Sequence, residues 1–262
     1  MRLLIGLFIF AILLSCSENK QEESKPQHAL KEIKQLFDDE IAYENEIRNI
    51  DSDKRLTEVT SLEYLSGEGE SFVVKGLVET KQDNQVMTLK KLTFKQVFKN
   101  GNESTCSYYY IGTRKFASTC EQSILTGNDL KKVLTKSYYN DSSEVFFSKR
   151  ISGNSENINE TSYSACKQVD HDDQLALKII NQEGAFETKF QGFTESMGKN
   201  YLILGTHDYT STVAFAEFNP TLKLLMNNEK KYTGKKLIID FSVVTEPNGF
   251  TFQALTDVKI AQ

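Results

Sequence analysis

The chain has 262 residues, 39% hydrophobic and 11% aromatic, with no Trp, three Pro and a formal net charge of −5. That length admits one large domain or two ordinary ones with a real core. The acidic balance argues against a nucleic-acid partner, because neutralising phosphates needs a basic surface. Abundant Thr, Val, Phe and Tyr favour strands.

The first element is an apolar run from Leu3 to Leu14 after a single basic residue, Arg2, ending in Ser15-Cys16. At about a dozen residues it is shorter than the roughly 20 that cross a bilayer as a helix, and it reads as a removable secretory signal. Leu13-Leu14-Ser15-Cys16 resembles the lipobox of bacterial lipoproteins. The resemblance implies removal of residues 1–15, lipidation of Cys16 through its sulfur, and an acylated mature N-terminus anchored to a membrane of the cell envelope. Ser17, where an Asp would mark retention, resembles the sorting pattern for an outer membrane. Lys20-Gln21-Glu22-Glu23 is similar to acidic export signals of surface lipoproteins, although a plain solvated tether accounts for the same residues. Residues 16–28 are polar and have nothing large to bury, so they are expected to be a flexible tether.

Residues 29–151 read as a helix followed by a β-rich domain. Leu30, Ile33, Phe37, Ile41 and Ile47 recur near helical spacing and predict a helix over 29–49. Strands are expected at 72–78, 86–89 and 92–98, with turns at 81–84 and at Asn100-Gly101. Two short strands should flank Gly112, one carrying Tyr108-Tyr109-Tyr110. A strand must place these rings on both faces, so at least one is expected on the surface, as a candidate binding surface. Asn128 to Leu134 predicts a capped helix and Val145-Phe146-Phe147 a further strand. Residues 152–157 lack large apolar side chains and read as a boundary or an exposed loop.

With Cys16 lipidated, three cysteines are left. In an oxidising compartment Cys106 and Cys120 are the preferred pair, on facing strands, and closing a loop of about 15 residues would contribute about 3 kcal/mol. Cys166 with His171 and nearby acids matches no common zinc-ligand spacing, so no metal or cofactor is expected.

Residues 158–262 form the second domain. Strands are expected at 185–193 (with a bulge near Glu187-Thr188-Lys189), 201–205, 213–218, 237–244 and 250–255, with a helix at Pro220–Met226. Three strands, a helix and two strands resemble the order of the OB-fold, a small barrel with its helix between the third and fourth strands. A β-sandwich or another sheet-and-helix topology fits the same order. The fold class is therefore mainly β with α (α+β): an N-terminal helix, a β-rich first domain and an OB-like small β-barrel at the C-terminus.

No motif carries a reaction. Gly-x-Ser-x-Gly, a phosphate-cradling glycine loop and His-Glu-x-x-His are all missing from the sequence. His171-Asp172-Asp173 and His207-Asp208 are the titratable clusters; the first reads more simply as an exposed loop or helix start, the second as a solvated loop. The expectation is a lipid-anchored envelope protein, a non-catalytic binding or scaffold module with a protein or glycan partner. An envelope hydrolase with a site assembled around His171 or His207 is the alternative.

Overall fold

The computed structural model describes residues 36–80, 87–126, 129–154, 158 and 162–261. The signal segment, Cys16, the tether, His28 and residues 29–35 lie outside the described residues, as do the turn at 81–84 and Val86. The chain is mainly β and its strands join in one large mixed sheet.

A helix, α1 (Glu40–Ser52), opens the described chain. Asp39 caps it by accepting the Ala42 N–H, and Tyr43, Ile47 and Ile50 supply its buried stripe. Ile41, expected on that stripe, is 67% exposed. The helix starts later than the spacing suggested, and this frame turns Ile41 outward.

Short strands β1 (Thr57–Thr60) and β2 (Tyr64–Ser66) lead into a meander of long antiparallel strands. These are β3 (Ser71–Thr80), β4 (Met87–Val97), β5 (Glu103–Ile111), β6 (Arg114–Thr126), β7 (Asp129–Tyr139) and β8 (Val145–Asn154). Gly101, at φ +81°, supplies the turn between β4 and β5. A two-residue strand, β9 (Ser164–Ala165), pairs with β8.

Of the helix expected from Asn128 to Leu134, Asn128 lies outside the described residues and the rest is instead the first half of β7. Leu130, Val133 and Leu134 have helical spacing, but each residue from Asp129 to Tyr138 has a partner on β6. Cross-strand pairing outweighs a weak local preference. Likewise Ser152-Gly153-Asn154, read as loop, completes β8.

After β8 come a seven-residue helix, α2 (Gln174–Ile180), and a 3-10 turn at Gly184–Phe186. Strand β10 (Phe190–Ser196) therefore starts later than expected, and its bulge falls between Phe190 and Gly192, not at 187–189. Strands β11 (Lys199–Gly205) and β12 (Tyr209–Phe215) follow. Helix α3 (Pro220–Asn227) is capped by the Asn219 side chain accepting the Leu222 N–H, with Pro at its start. A single turn, α4 (Glu229–Tyr232), leads to the hairpin of β13 (Leu237–Thr245) and β14 (Thr251–Ile260).

Pairing runs β10-β11-β12, then β12 to β14 in parallel at Ala214↔Ala254, then β14 to β13. The segments just before β10 and β13 meet at Lys189↔Lys236, where Leu237 N–H donates to Thr188 O and Phe190 N–H to Lys235 O. Gly205 is obligatory at its corner: its φ is +125°, and a Cβ there would lie 2.2 Å from the Tyr209 carbonyl oxygen. Strand β2 pairs with β12, so the C-terminal strands continue the meander's sheet.

The sheet is covered on both faces. One face, with Val74, Leu92, Tyr108 and Tyr110, packs against Ala176 and Ile179 of α2 and against Phe190, Leu202 and Leu204. The other, with Tyr109, Phe116 and Tyr138, packs against Tyr43, Ile47 and Ile50 of α1. Covering both faces buries all three residues of the Tyr108-Tyr109-Tyr110 run to 4% exposure or less. The expected surface tyrosine is not there.

Phe190 is fully buried, whereas Phe250 is 41% exposed. Phe190→Ala is expected to cost about 3–5 kcal/mol, and Phe250→Ala under about 1 kcal/mol. Urea unfolding of the two variants checks this, and equal losses would refute the core assignment.

Candidate functional site

Ser118, Ser137 and Ser148 are successive register partners across β6, β7 and β8, and all three are fully buried. Serines this deep need partners, and an extended stretch of chain, residues 166–173, supplies them. Ser137 Oγ donates to the Val169 carbonyl at 2.7 Å, and Val169 N–H donates to Ser148 Oγ at 3.0 Å. Ser118 Oγ lies 2.7 Å from His171 Nδ1, and His171 N–H donates to Tyr139 Oη at 3.1 Å. The small hydroxyl side chains let a backbone lie on the sheet and be hydrogen-bonded by it.

Lys115 closes this arrangement at its α2 end. Only 8% exposed, its Nζ donates to the His171 carbonyl at 2.5 Å, with Asp170 at 3.3 Å and Asp173 at 3.7 Å. The ammonium also sits 4.5 Å from the Tyr139 ring centroid. Tyr110 Oη donates to Asp173 Oδ2 at 2.6 Å, and Tyr108 Oη to the Asp172 carbonyl at 2.9 Å. Burial, then the bond to the Asp173 carboxylate, raises the Tyr110 hydroxyl well above its usual range, so it stays a donor. Asp173 precedes α2 yet makes no side-chain cap bond there, its carboxylate being engaged by Tyr110 and Lys115.

This cluster brings together His171, Asp170, Asp173 and a serine, the groups a hydrolase would need. Their arrangement does not serve one. Ser118 is fully enclosed, so its hydroxyl meets no solvent or substrate. Burial, with the nearby Lys115 charge adding, holds the His171 imidazole down at about 4. It is a neutral, half-buried hydrogen-bonding group. A cleft of about 320 Å³ does open beside the cluster, lined by Tyr110, Thr113, Lys115 and Asp170, but Ser118 and His171 are not in its wall.

The other sequence candidates lie apart. The His207 side chain is fully exposed, 3.6 Å from Asp208, in the turn between β11 and β12. Cys106 and Cys120 are opposed register partners on β5 and β6, joined at an S–S distance of 2.04 Å. Cys166 is half-buried. Among the described residues no group of three or more His, Cys, Asp or Glu is placed to share a metal ion.

A second constellation, which the sequence reading did not single out, lies where two turns meet. The β10–β11 turn carries Met197, 85% exposed at φ +51°, and the β13–β14 turn is followed by Phe250. Lys199 joins the two turns: its Nζ is 2.7 Å from Glu246 Oε1 and 5.0 Å from the Phe252 ring centroid. The Phe250 and Phe252 rings stack at 5.9 Å, and Val244 lies across the strand from Phe252. Gln253 ties the turn end of the hairpin to the chain before β2: its Nε2 donates to the Ser61 carbonyl and its Oε1 accepts from Glu63 N–H. The available signal was a pair of large apolar residues, Met197 and Phe250, at turns where polar residues are usual.

Two measurements test the interior cluster. His171 has a folded-state value below its ordinary 6.5, so the unfolded chain takes up the proton first and stability falls as pH drops from about 6.5 to about 4. The loss should reach about 3 kcal/mol, and His171→Gln should flatten that window of the stability profile; an unchanged slope would contradict the assignment. Lys115→Met leaves Asp173 buried without its cation and should cost about 3–5 kcal/mol in thermal or urea unfolding. A loss under about 1 kcal/mol would show that water replaces the ammonium.

Comparison with protein-family models, with curated proteins and with solved structures finds no match for this chain.

Proposed function

We propose that the protein is a lipid-anchored bacterial envelope protein, a non-catalytic binding or scaffold module held in the outer membrane through Cys16. In this reading the C-terminal half is an OB-like barrel. It is supported by the pairing series β10-β11-β12-β14-β13, by the parallel β12–β14 contact and by the Lys189↔Lys236 bridge that brings the first and fourth strands together. In OB barrels the loops between strands one and two and between strands four and five engage the ligand. Here those loops are the Met197 turn and the Pro247-Asn248-Gly249 turn.

The observation that carries the proposal is the convergence of these two turns, with Met197, Phe250 and Phe252 presented around the Lys199–Glu246 pair. An exposed Phe250 stacked on half-buried Phe252 beside a charged rim suits a protein or glycan partner. The alternative hydrolase draws no support from an enclosed Ser118 and a solvent-exposed His207.

The test is in-cell crosslinking of the intact lipoprotein with mass spectrometry of what is captured, alongside radiolabelled palmitate incorporation. Wild-type chain should incorporate label and capture a reproducible partner. Phe250→Ser should lose capture by about tenfold or more while keeping its melting temperature, since the ring is a surface anchor. Cys16→Ala should lose the label. Failure to capture anything where a known envelope complex is trapped, or full capture by Phe250→Ser, would overturn the binding surface. Unlabelled wild-type chain would overturn the anchor.

A further inference from the structure

We infer that the segment from α3 through the turn after α4 is a membrane-contacting face that takes anionic phospholipid headgroups, an inference that rests on the lipid-anchored reading above. Within a chain of net charge −5, residues 220–236 carry Lys223, Lys230, Lys231, Lys235 and Lys236 against the single acid Glu229, a local charge of +4. The whole-chain charge conceals this excess. All five lysines are exposed.

Neighbouring acids leave most of that charge uncompensated. Among the described residues Lys223, Lys230 and Lys235 enter no ion pair, and Lys236 reaches Glu187 only at 3.9 Å, while Glu187 is held by Lys189 at 2.6 Å. Asp257 is taken by Lys259 at 2.8 Å. Glu229 lies against the bulge of β10, where a Cβ on Gly192 would come within 2.7 Å of its Oε1. The same segment exposes apolar side chains: Leu224 is 42% exposed and Met226 46%, on a helix pinned by buried Leu222 and Leu225. Lysines with exposed aliphatic residues on a short helical surface make an interfacial composition, in which the long stems lie on apolar matter and the ammonium groups reach phosphates.

Position agrees with charge. Gly234 N–H donates to the Phe190 carbonyl and Phe190 N–H to the Lys235 carbonyl, at the first residue of β10. The Met197 turn is at the far end of that strand, about 20 Å away at roughly 3.3 Å per residue. A domain resting on a bilayer through its basic end would hold the Met197–Phe250 end away from the surface. The link from Cys16 to Leu36 can extend at most about 70 Å, so the anchor permits this contact without imposing it.

The test uses the mature chain, residues 16–262, with Cys16→Ser, so that any binding arises from the face and not from acyl chains. Its sedimentation with phosphatidylethanolamine vesicles is measured with and without about one-third phosphatidylglycerol. Binding should require phosphatidylglycerol and fall at least about tenfold between roughly 0.1 and 0.5 M salt. Reversing three lysines, Lys230→Glu with Lys231→Glu and Lys235→Glu, should weaken it more than about 100-fold. The same change in net charge made elsewhere, with Lys54→Glu, Lys131→Glu and Lys167→Glu, should weaken it less than about fivefold. No binding to anionic vesicles, salt-insensitive binding, or equal losses in the two triple variants would overturn the inference. Retention on heparin without vesicle binding would also overturn it, pointing to a different polyanion. Palmitate labelling of the wild-type chain reports separately on the anchor, so failure of the face and failure of the anchored reading are distinguishable.

Discussion

The buried Lys115 ammonium is the constraint around which the rest of the structure is arranged. A lysine taken out of water must be compensated where it lies, and here the compensation comes from chain more than fifty residues further on: the His171 carbonyl, Asp170 and Asp173. That requirement fixes where residues 166–173 cross the sheet. It thereby fixes the start of α2, and α2 in turn carries Ala176 and Ile179 into the core shared with β10 and β11. Lys115 on β6 thus adds, through α2, a second join between the meander and the C-terminal strands beside the β2–β12 pairing. The serine row works in the same direction, since its hydroxyls serve the crossing backbone much as another strand would.

Tyrosine does related work at each place where a loop or helix meets the sheet. Tyr43 Oη donates to the Tyr139 carbonyl, Tyr64 Oη to the Phe186 carbonyl and Tyr108 Oη to the Asp172 carbonyl. In each case the ring fills apolar space while the hydroxyl satisfies a carbonyl of a different element. A core of leucine alone would leave those carbonyls unpaired. The chain has 11 Tyr and 17 Phe and no Trp, and seven of the tyrosines are buried. Under α1 the same logic uses charge: Glu44 accepts from Tyr138 Oη and Lys136, and Lys149 pairs with Glu40. Burial pushes the Glu44 carboxyl up, but these partners outweigh it and leave it lowered.

What could be read from the sequence follows from how local each signal is. Helix α3 was legible because Asn219-Pro220 is a self-contained cap, and β13 and β14 because Pro247-Asn248-Gly249 divides two clear apolar runs. The β5–β6 hairpin and its cysteine pair were legible for a similar reason. Of helix α2 only its start was legible, as one of two readings of His171-Asp172-Asp173 beside an exposed loop, and the Lys115 contact that decides between them is not local. The first half of β7 read as a helix because its partners on β6 are invisible to a periodicity count. The tyrosine run was misplaced because strand alternation assigns side chains to two faces but cannot say that both faces are covered. The serine row combines all of these difficulties, since register across three strands aligns residues from three separate parts of the chain.

The Ser118–His171 contact shows why proximity alone does not make a reaction. At 2.7 Å the pair has the spacing of a nucleophile and its base, yet its other partners define it differently. Ser118 Oγ also meets Tyr139 Oη at 3.1 Å, and that hydroxyl meets Asp170 at 3.1 Å, so the network reaches solvent only at the Asp170 carboxylate and not at the serine. A nucleophile needs one open side, and this one has none. The Met197–Phe250 end has the opposite character: few titratable groups, apolar surface left in water, and a backbone tied down by Gln253. Hydrophobic surface kept exposed on a fixed hairpin costs solvation unless something covers it. Hydrogen-bonding groups gathered under the 166–173 crossing and apolar side chains displayed at the two turns are thus separate features of the one sheet.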